Sequence, residues 1–149
     1  MKEFKPINYK WRKYHNRLIL RKLKKKNYKH FFLYRGLLGL KALDSEIIKS
    51  NELKTVLTTM QKKCGRQYKV WIYCFPNISF TSKSVSVRMG KGIGSLDSNW
   101  LFAIKKNTVF LEFASKSKQF LKIGIQSCQK KLKINSRLIE SNSKWKFKK

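Results

Sequence analysis

One short stretch of the chain combines glycines with basic side chains, a pattern that favours phosphate binding. Residues 85–94 read VSVRMGKGIG and contain three of the seven glycines in the chain, Gly90, Gly92 and Gly94. Glycine lets backbone N–H groups approach a phosphate or a base closely, and the neighbouring Arg88 and Lys91 can add charge-assisted hydrogen bonds. The stretch therefore predicts an anion-binding loop, which also includes Met89.

The spacing of these glycines does not fit the loops that hold nucleotides. A P-loop needs GxxxxGK[ST] between a strand and a helix, and a dinucleotide loop needs GxGxxG at the start of a helix. Here the spacing is GxGxG, Lys91 lies inside it, and the next apolar run has a strand pattern. Two interpretations remain, a hairpin tip without a binding role and a loop that reaches into crowded RNA. The adjacent charges favour RNA.

The other reactive side chains form no catalytic or metal-binding set. The seven acids are scattered, and His15 and His30 stand apart, so neither paired carboxylates nor triad spacing is present. The three cysteines lack CxxC spacing and are odd in number, which predicts reduced core thiols in an intracellular compartment: Cys64, Cys74 and Cys128. We therefore expect no enzymatic activity, no metal, no cofactor and no small-molecule substrate.

The charge of the chain indicates a polyanionic partner. Thirty-six Lys and Arg against seven Asp and Glu give a net charge of +29, which opposes compaction unless a polyanion neutralises it. Nucleic acid fits because each neutralised phosphate releases counterions. Acidic lipid fits less well, since no apolar run approaches the ~20 residues that span a bilayer. Basic residues crowd both ends, which predicts a basic arm at 1–30, one domain at 31–140 and a basic tail at 141–149.

The arm mixes aromatic with basic side chains, as RNA-binding segments do. Trp11 and Tyr14 could stack on unpaired bases, although Trp11 could equally anchor the arm to the core. The basic side chains expected to contact RNA are Lys10, Arg12, Lys13, His15 and Arg17.

Two helices follow from apolar periodicity. The first is predicted from Asp44, as its cap, to Cys64, with Gly65 as the stop and with apolar residues at i, i+3, i+4, i+7 and i+11 from Leu53. The second is predicted from Ser115 or Ser117 to about Lys131, with an apolar stripe at Leu121, Ile125, Cys128 and Leu132.

Strands are predicted around these helices. Residues 68–76 are apolar on both faces, so this strand should be central or covered on both sides. Residues 84–88 alternate and should form a short strand before the glycines. Residues 100–104 and 109–113 should form a hairpin across 105–108, and 136–140 a last strand. This order of elements predicts an α+β fold rather than a doubly wound one.

Several segments resemble the universal large-ribosomal-subunit protein sixteen family of bacteria and organelles, which is related to the archaeal and eukaryotic protein ten-e. VRMGKG at 87–92 is similar to the family signature, and WRKYH at 11–15 to its basic-aromatic arm. GLLGLKAL at 36–43 resembles its FGxxGLKA segment, and KVWIYCFPNISFTSKSVSVRMGKGIG matches its central region in order and length. KKLKINSRLI at 130–139 looks like its helix end and final strand, so the resemblance covers about residues 8–140.

The resemblance implies a mainly antiparallel sheet with two helices packed on it, similar to an α/β-hammerhead. It implies a structural protein that binds large-subunit rRNA near the A site, contacts A-site tRNA and neighbouring ribosomal proteins, and joins late in subunit assembly. The glycine-rich loop would point towards the peptidyl-transferase centre. Arg88 matches a position that some relatives hydroxylate, and Lys41 in the GLKA segment would contact the RNA backbone.

The chain also departs from the family pattern. Ile93 replaces a usual lysine, which removes one phosphate contact, and Ser84 replaces a common proline. Lys outnumbers Arg by 29 to 7, a bias that is typical of an AT-rich gene and suggests an organelle-encoded protein. The divergence from the bacterial pattern and the lysine-rich extensions favour a mitochondrion over a plastid. The alternative is a generic basic protein that compacts DNA or coats a membrane surface.

Overall fold

The computed structural model describes residues 4–6, 13–14, 23, 31–65, 67–90 and 92–141. These ranges contain seven strands and two complete helices. In chain order they are β1 Leu38–Ala42, β2 Glu46–Lys49, α1 Ser50–Cys64, β3 Tyr68–Ile72, β4 Ile78–Ser82, β5 Ser95–Ile104, β6 Val109–Ser115, α2 Lys118–Gln129 and β7 Ser136–Glu140.

The strands form two antiparallel sheets. The four-stranded sheet has the order β3-β6-β1-β7, and the three-stranded sheet has the order β2-β5-β4. The predicted α+β class and antiparallel pairing are confirmed. The strands are divided between two sheets, however, whereas the sequence led us to expect one.

The core lies between the helices and the inner faces of the sheets. In β1, alternation turns Leu38, Leu40 and Ala42 into the core, where all three are fully buried. Burying a leucine side chain contributes about 1.5–3 kcal/mol, so this short strand is a substantial part of the core. Both predicted helix stripes are confirmed, because α1 buries Leu53, Val56 and Met60, and α2 buries Leu121, Ile125 and Cys128. Leu132 is also buried.

The first helix begins later than the sequence predicted. Helix α1 starts at Ser50, because residues 46–49 pair with residues 101–104 of β5 as strand β2. Asp44 therefore is not a helix cap, and its carboxylate accepts a hydrogen bond from the side chain of Asn135 at 3.2 Å. The predicted end is confirmed, since Gly65 follows Cys64 with φ 62° and the helix stops there.

The predicted hairpin of residues 100–104 and 109–113 is wrong. β5 pairs with β2 and β4, whereas β6 pairs with β1 and β3, so the intervening turn carries the chain from one sheet to the other. That turn is fixed to the end of β1: the Asn107 N–H donates to the Ala42 carbonyl at 2.8 Å, and the Ala42 N–H donates to the Thr108 carbonyl at 2.9 Å. Apolar alternation predicted both strands but not their partners.

Two other strand predictions need correction. Residues 84–88 are an exposed loop, and the strand that precedes the glycines is β4, which pairs with β5. The strand predicted at 68–76 ends at Ile72 and lies at the edge of its sheet, not at the centre. Its alternation is as expected, because Val70, Ile72 and Cys74 pack against the core. The last strand, β7, is confirmed at residues 136–140.

All three cysteines are free thiols, as the sequence predicted. Within the described ranges, no group of three or more His, Cys, Asp or Glu side chains is placed to hold a metal ion. Among the described helices, none is both long and apolar enough to cross a membrane. Residues 142–149 of the predicted tail lie outside the described part of the chain.

Candidate nucleic-acid interface

The glycine stretch lies in a long loop between two paired strands. Ser82, the last residue of β4, pairs with Ser95, the first of β5, so residues 83–94 close a hairpin. We call residues 83–94 the glycine loop. Apart from Gly94, every described residue in it is exposed, including the side chains of Arg88 and Met89. The loop therefore presents its basic and apolar groups to a partner rather than to the core.

Glycine is favoured at these three positions for two different structural reasons. Gly90 and Gly92 have φ values of 108° and 76°, which L side chains rarely adopt, and an added Cβ would meet open space at both positions. Gly94 has no such backbone requirement. A Cβ there would overlap the carbonyl oxygen of Ser82, so this glycine allows the two strands to close tightly at the base of the loop.

Hydrogen bonds within the loop shape its tip. The Lys83 ammonium donates to the Gly90 carbonyl at 2.6 Å, and the Val87 N–H donates to the Ser84 carbonyl at 3.1 Å. Lys83 thus spans the base and the tip of the loop. Lys91, a predicted phosphate contact, lies outside the described residues.

Part of the basic arm lies against the glycine loop. The Lys13 ammonium donates to the Ile93 carbonyl at 3.4 Å. Tyr14, which we expected to be free for stacking, instead packs against the small apolar cluster of Ile78 and Leu101. Residues 13 and 14 are thereby held on the three-stranded sheet beside the loop. The other predicted arm contacts lie outside the described residues: Lys10, Trp11, Arg12, His15 and Arg17.

Lys41 belongs to a different surface. It lies on β1 of the four-stranded sheet, half-buried and opposite Arg137 of β7, whereas the glycine loop joins strands of the three-stranded sheet. The described residues therefore bring Lys13 to the predicted loop but do not show Lys41 with them.

Comparison with protein families decides the class of this chain. Residues 6–139 match the family described as Ribosomal protein L16p/L10e. The chain belongs to the L16p/L10e family of ribosomal proteins. Curated relatives agree: the large ribosomal subunit protein uL16 of Limosilactobacillus reuteri is 32% identical over 105 residues, which cover 70% of this chain and 72% of the relative. The uL16 proteins of Ureaplasma urealyticum and Lacticaseibacillus casei are 30% and 33% identical, over 70% of this chain and 75% and 72% of their own lengths.

Residues 31–36 of this L16p/L10e chain form a segment that no sequence pattern predicted, and we call them the strap. The backbone N–H groups of Tyr34, Arg35 and Gly36 donate to the carboxylate of Glu112 at 2.9, 2.8 and 2.7 Å. Glu112 lies in β6 and is fully buried. The sequence signal for a segment such as the strap is a single acid, Glu112, inside the apolar run VFLEF. A buried carboxylate needs several hydrogen-bond donors, which another segment must supply.

The glycines of GLLGLKAL make room for the strap. A Cβ on Gly36 would lie 2.8 Å from Cβ of Glu112 and 2.9 Å from the Phe113 nitrogen, and a Cβ on Gly39 would overlap the side chain of Leu33.

Burial, followed by the nearby Glu112 carboxylate, raises the pKa of Tyr73 to about 12. The phenol therefore stays neutral beside the carboxylate at physiological pH.

Most described acids outside the interface are already engaged. Glu140 forms ion pairs of 2.6 Å with both Lys118 and Lys122, and Glu46 pairs with Lys133 at 3.6 Å. These carboxylates offset charge around α2 and β7. The described part of the glycine loop contains no acid, so its charge is free to attract phosphates.

Proposed function

We propose that this chain is a structural component of the large ribosomal subunit and binds large-subunit rRNA through its glycine loop and basic arm. Membership of a ribosomal protein family carries the proposal, and the relatives at 30–33% identity are named as large-subunit proteins. The exposed, basic, glycine-rich loop supports it physically, because a chain without Cβ atoms at its bends can enter narrow spaces between RNA helices. The proposed organisation is an arm at 1–30, a domain at 31–140 and a tail at 141–149.

The proposed RNA contacts have distinct roles. Arg88 and Lys91 bind phosphates, while Gly90, Gly92 and Gly94 let the loop bend and close, with Met89 exposed between them. Lys13 holds the arm beside the loop, where the remaining basic residues of the arm extend the positive surface: Lys10, Arg12, His15 and Arg17. Trp11 either stacks on a base or anchors the arm, and Lys41 contacts the RNA backbone on the other sheet.

In this proposal the loop organises RNA and does no chemistry. It supports the rRNA near the A site and the peptidyl-transferase centre, assists placement of A-site tRNA, and takes part in late assembly beside neighbouring ribosomal proteins. No cofactor and no small-molecule substrate are required for that role.

Rebinding to large-subunit particles depleted of their own protein of this family tests the loop directly. We expect wild-type chain to restore A-site tRNA binding, and Arg88→Ala to rebind more weakly and restore less. Arg88→Ala should also lower the salt slope of rRNA binding by about one, because one phosphate contact is lost. Lys130→Ala, which removes an exposed lysine after α2, is the matched control. Equal restoration by Arg88→Ala and Lys130→Ala would contradict the proposed loop contact.

We further propose that the ribosome is organellar, in a mitochondrion rather than a plastid. The excess of Lys over Arg, 29 to 7, supports it, since AT-rich organelle genes favour lysine codons. The named relatives are bacterial and are equally compatible with a bacterial source. Mass spectrometry of purified mitochondria, plastids and cytosol from the source cells tests the proposal. Enrichment of this chain in mitochondria supports it, and enrichment elsewhere overturns it.

A further inference from the structure

The strap presents aromatic side chains to solvent from a fixed backbone. Leu33 points inward over Gly39, and the residues on either side of it point outward, where Phe32 is 76% exposed and Tyr34 62% exposed. An exposed phenylalanine on a rigid segment buries little apolar surface against the core. Its position is explained if a partner covers it.

The backbone that carries these rings is held firmly. Three consecutive N–H groups, including that of Tyr34 itself, bind the buried carboxylate of Glu112. Hydrogen bonds to a charged acceptor are stronger than neutral ones, and loss of one leaves buried donors without a partner. The rings are therefore presented with little of the ordering cost that a mobile segment would incur on binding.

The same side of the four-stranded sheet is basic. Pairing and alternation place Lys69 and Trp71 of β3, Gly39 and Lys41 of β1, and Arg137 of β7 on the face that the strap crosses. Arg35 of the strap is exposed as well. Among the described residues of these strands, the acid that shares this face is Glu112, which is buried under the strap.

We propose that the strap and this face form a second RNA-binding surface, on which Phe32 and Tyr34 stack against unpaired bases while Arg35, Lys41, Lys69 and Arg137 bind phosphates. Aromatic rings among cations are the combination that recognises single-stranded RNA, because every base has a face for stacking and every nucleotide has a phosphate. The proposal rests on the proposed rRNA-binding function and adds a contact surface to it.

Binding of the full chain to an in vitro transcript of large-subunit rRNA from the source organism tests this surface. The salt should be high enough to weaken generic phosphate contacts, about 0.3 M. We expect the double variant Phe32→Ala/Tyr34→Ala to lose at least about tenfold in affinity, since each lost stack costs roughly fivefold or more. Its salt slope should stay at the wild-type value, whereas Arg35→Ala should lower the slope by about one.

Phe120→Ala is the matched control, because Phe120 is an aromatic residue of the same 62% exposure on α2, away from the strap. It should bind within about twofold of wild type, and thermal unfolding should show that all variants remain folded. Photo-crosslinking to a transcript containing 4-thiouridine adds a measurement that needs no variant, with cross-links expected on the strap peptide.

The outcomes separate the two proposals. The second surface alone is overturned if the wild-type chain binds and the double variant binds with the same affinity. It is also overturned if cross-links form on the glycine loop and none form on the strap. Failure of the wild-type chain to bind the transcript in a saturable way overturns the proposed function and this inference with it.

Discussion

Gly94 shows how a single residue shapes the glycine loop, because a side chain there would overlap the carbonyl oxygen of Ser82 at the base of the hairpin. We expect Gly94→Ala to lower the free energy of unfolding by about 2–3 kcal/mol, the usual cost of forcing an added carbon into a tight contact. Gly92→Ala should cost only about 1 kcal/mol, since it meets no neighbour and suffers only from its φ of 76°. Urea unfolding measures both, and equal losses would contradict this distinction.

Thiol reactivity is a second property set at single residues. Burial, and to a lesser extent the neighbouring Cys64, raises the pKa of the Cys128 thiol to about 12. The thiolate is the reactive form, so iodoacetamide at pH 8 should label the less buried Cys64 well before Cys128. Mass spectrometry of native protein after brief labelling provides the rates. Equal labelling of both cysteines would show that the gap between α1 and α2 is open to solvent.

At the scale of elements, Glu112 fastens the strap to β6. We expect Glu112→Gln to destabilise the fold by about 2–3 kcal/mol, because an amide presents a donor to N–H groups that need an acceptor. Amide hydrogen exchange should accelerate at Tyr34, Arg35 and Gly36 in particular. Glu46→Gln is the matched control, since Glu46 is more exposed and forms a longer ion pair of 3.6 Å. Unchanged exchange at the strap would contradict the clamp.

Glu140 ties β7 to α2, and its titration reports that contact. Hydrogen bonds from Lys118 and then Lys122 lower the pKa of its carboxyl group to about 2, below the ordinary 4.5. The stabilisation is therefore present above pH 4.5 and is lost as pH falls through about 2. Carboxyl carbon NMR should show Glu140 titrating near 2, and the stability difference between wild type and Glu140→Gln should disappear in the same range. A midpoint near 4.5 would contradict the contact.

The elements differ in how far sequence could predict them, and the differences have physical causes. The apolar stripes of α1 and α2 and the stop at Gly65 depend on local periodicity and backbone freedom, so they were predicted correctly. β2 was read as helix because its pairing with β5 is a long-range contact that no local pattern shows. The same cause explains the wrong hairpin: β5 and β6 are adjacent in sequence but pair in different sheets.

The candidate site was predictable only where it rests on local chemistry. The glycines mark an exposed loop in sequence and in structure alike, but residues 84–88, including Arg88, belong to that loop and not to the predicted strand. The strap could not be predicted, because its position depends on Glu112, which lies 76 residues after Gly36 in the chain. Tyr14 was placed wrongly for a similar reason: an aromatic ring among cations can bind RNA or pack on its own sheet, and the choice is made by Ile78 and Leu101.

For the whole molecule, the net charge of +29 dominates association with any polyanion. Structured RNA should nevertheless be preferred, since the glycine loop and the strap offer shape and stacking that duplex DNA cannot use. At about 0.3 M salt we expect an rRNA transcript to bind at least about tenfold more tightly than duplex DNA of equal length. Filter-binding titrations measure both affinities. Equal affinities would favour a generic DNA-compacting protein.

Sedimentation of source-cell lysate through a high-salt gradient, with this chain followed by mass spectrometry, tests the proposed ribosomal role most directly. If the chain is an integral large-subunit component, it should sediment with the large subunit. It should also remain bound after the salt has removed loosely bound basic proteins. Release at moderate salt, with recovery alongside DNA or membranes, would contradict that role and leave the charge as a generic property.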